Sequence, residues 1–148
     1  MDPRGRAAAA GTAAAAIWTG CEPLFKRAFG TPYSDSELLS AYVTRGRLQP
    51  LVGLLIHSAN GAGFGYLFAR LGGRGVKAAV AAALVENALF WPLMPLFDRT
   101  HPNVRDGRWP RLAANARVFA QTTAAHALFG VLLGALGPRQ PSSSSSSS

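Results

Sequence analysis

Apolar residues gather in four long blocks, cut by short segments rich in Gly, Pro and Arg. The pattern predicts membrane-length helices over about 7–25, 51–71, 76–97 and 113–136, since ~20 apolar residues cross a bilayer. No stretch alternates apolar and polar positions as a half-buried strand would. The fold class expected is therefore all-α, with four transmembrane helices as two tandem hairpins. Gly30 and Pro32 end the first block, and SELLSAYV in the following loop suits a short interfacial helix. Pro92 and Pro95 predict a kink or unwinding late in the third block. Residues 1–138 form one membrane domain, followed by a flexible Ser-rich tail over 139–148.

Composition supports that reading. The chain is 49% hydrophobic and 15% charged, against ~25% charge in an ordinary soluble domain. Its net charge of +8 comes from residues between the apolar blocks, where basic loops flank membrane spans. No nucleic-acid-binding motif accompanies them, so nucleic acid is not an expected partner. The expected partners are the lipid bilayer and a second copy of the chain. Arg dominance with abundant Ala, Gly and Pro suits a GC-rich, bacterial source. Cys21 is the single cysteine and excludes an intrachain disulfide. Arg4 and Arg6 before an Ala-rich run resemble a signal peptide, which leaves two alternatives, a cleaved leader and a retained helix. Trp18, standing where lipoprotein signals usually carry Leu, favours retention. The expected location is the cell membrane, multi-pass, and the acid-free middle turn around Arg70, Arg74 and Lys77 favours cytoplasmic termini.

A pattern recurs inside the apolar blocks. His57, Gly61 and Gly65 form His-x3-Gly-x3-Gly, and His126, Gly130 and Gly134 repeat it. Residues at i, i+4 and i+8 share a helix face, so each imidazole and its glycines meet the same neighbour. Pro23-Leu24-Phe25-Lys26-Arg27 is echoed by Pro95-Leu96-Phe97-Asp98-Arg99, and Gly46-Arg47 by Gly107-Arg108, in the same order. The chain thus reads as a duplicated helical hairpin.

Ionisable groups in such blocks are costly and need a partner or a purpose. The candidate intramembrane polar site comprises Glu22, His57, Asn60, Glu86, Asn87 and His126, and Gln121 is a further polar residue in a span. Depth counting along antiparallel helices suggests that Glu22 reaches His57 and that Glu86 reaches His126. Two roles compete for these groups. One is interhelical glue, with Gly61, Gly65, Gly130 and Gly134 as helix-packing positions. The other is a proton, ion or metal site. Metal is disfavoured because neither HExxH nor Glu-x-x-His occurs, and no cofactor is implied. Trp18, Trp91 and Trp109 suit interfacial anchoring. Ser34, Asp35, Glu37, Asp98, His101 and Asp106 lie in loops on one face and raise a hydrolase as a possibility. Without Gly-x-Ser-x-Gly, no catalytic set is assigned. GAGFG at 61–65 fits neither the Rossmann nor the P-loop spacing.

WPLMPLFD at 91–98 and the His126-anchored last helix resemble small bacterial inner-membrane proteins, loosely the YagU-like group. The resemblance covers about half the chain, from about His57 to Leu136. It implies a multi-span membrane protein and no particular reaction. The function expected is a non-catalytic structural, accessory or channel-like component. The alternatives are a proton- or ion-linked transporter using the His/Glu pairs, and a membrane-embedded enzyme or metal protein.

Overall fold

The computed structural model describes residues 2–137. The Ser-rich tail expected over 139–148 lies outside them. The described residues are helical with no strand: α1 (Pro3–Phe29), α2 (Asp35–Val43), α3 (Gln49–Arg70), α4 (Gly75–Phe90), α5 (Met94–Thr100), α6 (Pro102–Arg105) and α7 (Ala116–Leu136). A 3-10 turn, Trp91–Leu93, joins α4 to α5.

Local chemistry sets the boundaries. Asp2 caps α1 by accepting from the Gly5 N–H, Pro3 occupies its first turn, and Gly30 ends it in the left-handed conformation (φ 62°). The third apolar block does not stay α-helical to Phe97 as one element. Pro92 and Pro95 lack the N–H groups an α ladder needs, and the chain tightens into a 3-10 turn around Pro92 before α5 resumes with Pro95 in its first turn. The last helix begins at Ala116 rather than near residue 113. The Asp98 carboxylate accepts from the backbone N–H groups of Leu112 and Ala113, holding them outside the helix. Asn115 then caps the helix through the N–H groups of Arg117 and Val118.

Three helical stretches are long and apolar enough to cross a membrane: Gln49–Arg70, Gly75–Thr100 and Ala116–Leu136. α1 is not among them, because alanine is only weakly lipophilic. Its place in the bundle explains that composition. α1 packs against both α3 and α7, and buries Ala7, Ala10, Gly11, Ala14 and Ala15 between them. α7 packs in turn against α4, giving the lateral order α3, α1, α7, α4.

Two glycine seams fix this order. A Cβ added at Gly61 would collide with Gly11 O and Ala15 Cβ, and one at Gly65 with Ala7 O. A Cβ at Gly130 or Gly134 would strike the backbone of Val80 or Val76. α3 therefore touches α1 nearly backbone to backbone, and α7 touches α4 in the same way. α3 and α4 are consecutive, joined through Gly72 and Gly73, yet make little direct contact. Leu51, Leu55, Tyr66, Leu67, Leu71, Val85 and Leu89 leave their apolar surface on the outside. An exposed apolar belt of this extent is consistent with a membrane protein.

Candidate functional site

The helix register decides which polar groups meet. In the first seam Gly11 lies level with Gly61 and Ala7 with Gly65. His57 is then level with Ala15, and Glu22 lies seven residues further along α1, ~10 Å away along the axis. The expected Glu22–His57 pair is absent for that reason. Instead the Glu22 carboxylate, buried, accepts from Ser34 Oγ (2.6 Å), Ser36 N (2.8 Å) and Ser36 Oγ (2.8 Å). It ties the start of α2 against α1. In the second seam Val80 lies level with Gly130, which puts His126 level with Leu84 and Glu86 only ~3 Å beyond. Glu86 Oε2 lies 3.1 Å from His126 Nε2.

Trp18 takes the place that sequence reasoning gave to Glu22. Its ring stands edge-on to His57 (centroids 4.4 Å apart, 89°) and to His126 (4.7 Å, 66°), and only 5% of its surface is exposed. The expected role of Trp18 as an interfacial anchor is replaced by a wedge between two imidazoles. Trp109 is likewise buried, stacked on His101 with centroids 4.4 Å apart.

A cavity of about 140 Å³ opens beside this wedge. Trp18 from α1, Asp35 from α2, His57 and Asn60 from α3, Glu86 from α4 and His126 from α7 all line it. Four titratable groups from four helices thus converge, three of them named by the sequence. Asp35 is the addition. It lies next to the serines that Glu22 holds, and its Oδ1 accepts from the Tyr33 hydroxyl at 2.9 Å. Burial raises its carboxyl to about 7, opposed by the charge of His126 and reinforced by that of Glu22. The sequence places Asp35 with the loop-side residues, and nothing local to it points to this cavity, since its position depends on the long-range Glu22 contacts.

The hydrogen bonds of His126 constrain its proton. Nδ1 lies 2.7 Å from the Thr122 carbonyl, which can only accept, so Nδ1 carries hydrogen. Nε2 faces a carboxylate oxygen. A hydrogen between Nε2 and Oε2 is then one proton held by the pair, on either the imidazole or the carboxylate.

The other polar residues serve the frame. Asn87, buried, donates to Thr123 Oγ1 (3.1 Å), and Gln121 donates to the Tyr33 carbonyl (3.0 Å). Neither lines the cavity. The loop-side residues that raised a hydrolase are similarly engaged. His101 Nε2 meets the Leu38 carbonyl and its Nδ1 accepts from Asn103 N, while burial lowers its tendency to take a proton. Glu37 binds Lys26 and Asn103, and Asp106 pairs with Arg45. No nucleophile–base contact joins Ser34, Asp98 and His101. Among the described residues no group of three or more His, Cys, Asp or Glu side chains is arranged to hold a metal ion.

No protein-family model, curated protein or solved structure matches the chain. The functional reading therefore rests on the geometry of this cavity.

Proposed function

We propose that the chain is a non-catalytic multi-pass protein of the cell membrane, four spans arranged as two duplicated hairpins, whose cavity is a proton-linked binding site. α1 serves as the fourth span. Its 27 residues reach ~40 Å at 1.5 Å each, more than a bilayer core requires. Ala7, Ala10, Ala14 and Ala15 face α3 and α7 rather than lipid. The matching glycine seams, α1 with α3 and α4 with α7, support the duplication.

One observation carries the reading: Asp35, His57, Glu86 and His126 converge from four helices on one cavity. Glu22 and Asn87 are spent in hydrogen bonds away from this cavity, whereas these four groups border it. Intramembrane ionisable groups around open space instead suit exchange of a proton with a bound partner. The channel-like form has less support. Towards the α3–α4 turn the bundle narrows to a space of only about 10 Å³ walled by Ala7, Phe68, Arg74 and Leu133.

The test uses the full chain in vesicles. In an Asp35→Asn background, which removes the other carboxyl proton titrating near 7, a pH step should reveal about one exchangeable proton per chain, held by the His126–Glu86 pair, that vanishes in both Glu86→Gln and His126→Gln. Dye-loaded vesicles should leak protons no faster than protein-free ones. Absence of the proton would overturn the protonatable site, and a fast leak would overturn the blind-ended one.

A further inference from the structure

A second space adjoins the first. α3 and α4 splay apart around an apolar groove of about 650 Å³, walled by Phe64, Leu67, Phe68, Val85, Leu89 and Phe90. Phe64, Glu86 and Phe90 border both the groove and the polar cavity. The two spaces therefore form one amphipathic recess, open along the side of the bundle, with its polar end at Glu86.

Charge indicates what the polar end accepts. The chain has 15 Lys and Arg against seven Asp and Glu. Two of the seven acids, Asp35 and Glu86, line this recess, and none of the 15 bases does. An anionic head would find no guanidinium or ammonium there, only the imidazoles of His57 and His126, the second already engaged by Glu86. Glu86 gives Oε2 to His126 and is half-exposed, so that its carboxylate is open to the recess. We propose that the recess binds a long-chain amphiphile with a small cationic head, an alkylammonium, which enters sideways from the bilayer. Its tail lies between α3 and α4, and its ammonium sits between Glu86 and Asp35.

The physics of the membrane sharpens the claim. Lipid tails are as apolar as the groove wall, so the tail gains little on leaving the bilayer. Selectivity must come from the head, where a cation exchanges the hydrated headgroup region for two carboxyl groups in a recess that screens their attraction less. The inference rests on the membrane-spanning, proton-linked reading above. Arrival of the ammonium displaces the proton held by the His126–Glu86 pair, which couples binding to proton release.

The experiment is photo-crosslinking in vesicles of zwitterionic lipid, with an alkylamine carrying a photoreactive group in its tail. Crosslinks should map to Phe64–Leu71 and Val85–Leu89, and excess long-chain amine should remove them. The matching fatty acid and alcohol should compete at least tenfold less well. Glu86→Gln should weaken capture about tenfold, the ~1.4 kcal/mol loss of one charge-assisted contact. Leu67→Trp, at an exposed wall position, should block the tail without touching the head. Labelling spread equally over Leu51, Leu55 and Val131, or equal competition by the fatty acid, would overturn the proposal. Flotation of the same sample separates the two claims. A chain that does not float with the vesicles overturns both. An inserted chain that keeps its exchangeable proton but labels uniformly overturns only this one.

Discussion

Glu86 and His126 meet at 3.1 Å across the α4–α7 seam, one helical turn from the point where Gly130 lies on the backbone of Val80. The close approach and the ion pair depend on each other. A wider seam would take the carboxylate out of reach of the imidazole. Glu86→Gln and His126→Gln should each weaken the folded protein in bicelles, and their double-mutant cycle should give a coupling of ~0.6–1.7 kcal/mol, the range of membrane hydrogen bonds. A coupling indistinguishable from zero would show that the two side chains do not interact.

The glycine seams make a contrast that needs no assumption about ligands. Gly61→Ala and Gly130→Ala place a methyl against backbone that cannot turn aside, and should destabilise by ~1–3 kcal/mol. Gly20 and Gly63 lie in the helices with open space around them. Gly20→Ala and Gly63→Ala should be neutral or stabilise by up to ~1 kcal/mol through helix propensity. Denaturation by SDS in mixed micelles would rank the four, and equal effects would dissolve the seam.

Glu22 is read as a clamp and not as part of the polar pair. Glu22→Ala leaves three buried donors without their acceptor and should cost ~2–3 kcal/mol, with Glu22→Gln retaining part of that. Proteolysis within loop 1, between α1 and α2, should speed up in parallel. Unchanged loop protection in Glu22→Ala would contradict the clamp.

Asp35 predicts the pH dependence. Burial raises its carboxyl to about 7 in the folded chain, against ~3.9 when unfolded. Between those values the folded state holds a proton that the unfolded state has released. Its contribution is therefore fully present below the unfolded pKa and is lost as pH rises towards 7. Asp35→Asn should flatten that decline and be the more stable form at pH 8, by on the order of 1–3 kcal/mol. Unfolding followed at pH 5 and pH 8 would check the sign, and a wild-type protein that gains stability over this range through Asp35 would refute it.

Much of the fold is legible from periodicity. The apolar blocks mark α3, α4 and α7, the prolines mark the break at Trp91–Leu93, and His-x3-Gly-x3-Gly marks the faces at which α3 and α7 meet α1 and α4. The lateral order is less legible, since it depends on alanines in α1 that look weakly apolar because they are central. The site was legible at His57, Glu86 and His126 and misread at Glu22. Counting residues from the ends of helices ignores the space that α2 occupies, whereas the seam register includes it. Trp18 reads as an interfacial anchor and Asp35 as a loop-side residue because an interfacial tryptophan and a cavity-wedged one are identical in sequence, as are a loop aspartate and a cavity-lining one.

The most direct measurement is nitrogen NMR of the three imidazoles in bilayers. His126 should show hydrogen at or shared with both ring nitrogens near neutral pH, and should lose that signature in Glu86→Gln while His101 keeps its own. A His126 ring with one bare nitrogen, unchanged by Glu86→Gln, would contradict a proton held between α4 and α7 beside the cavity.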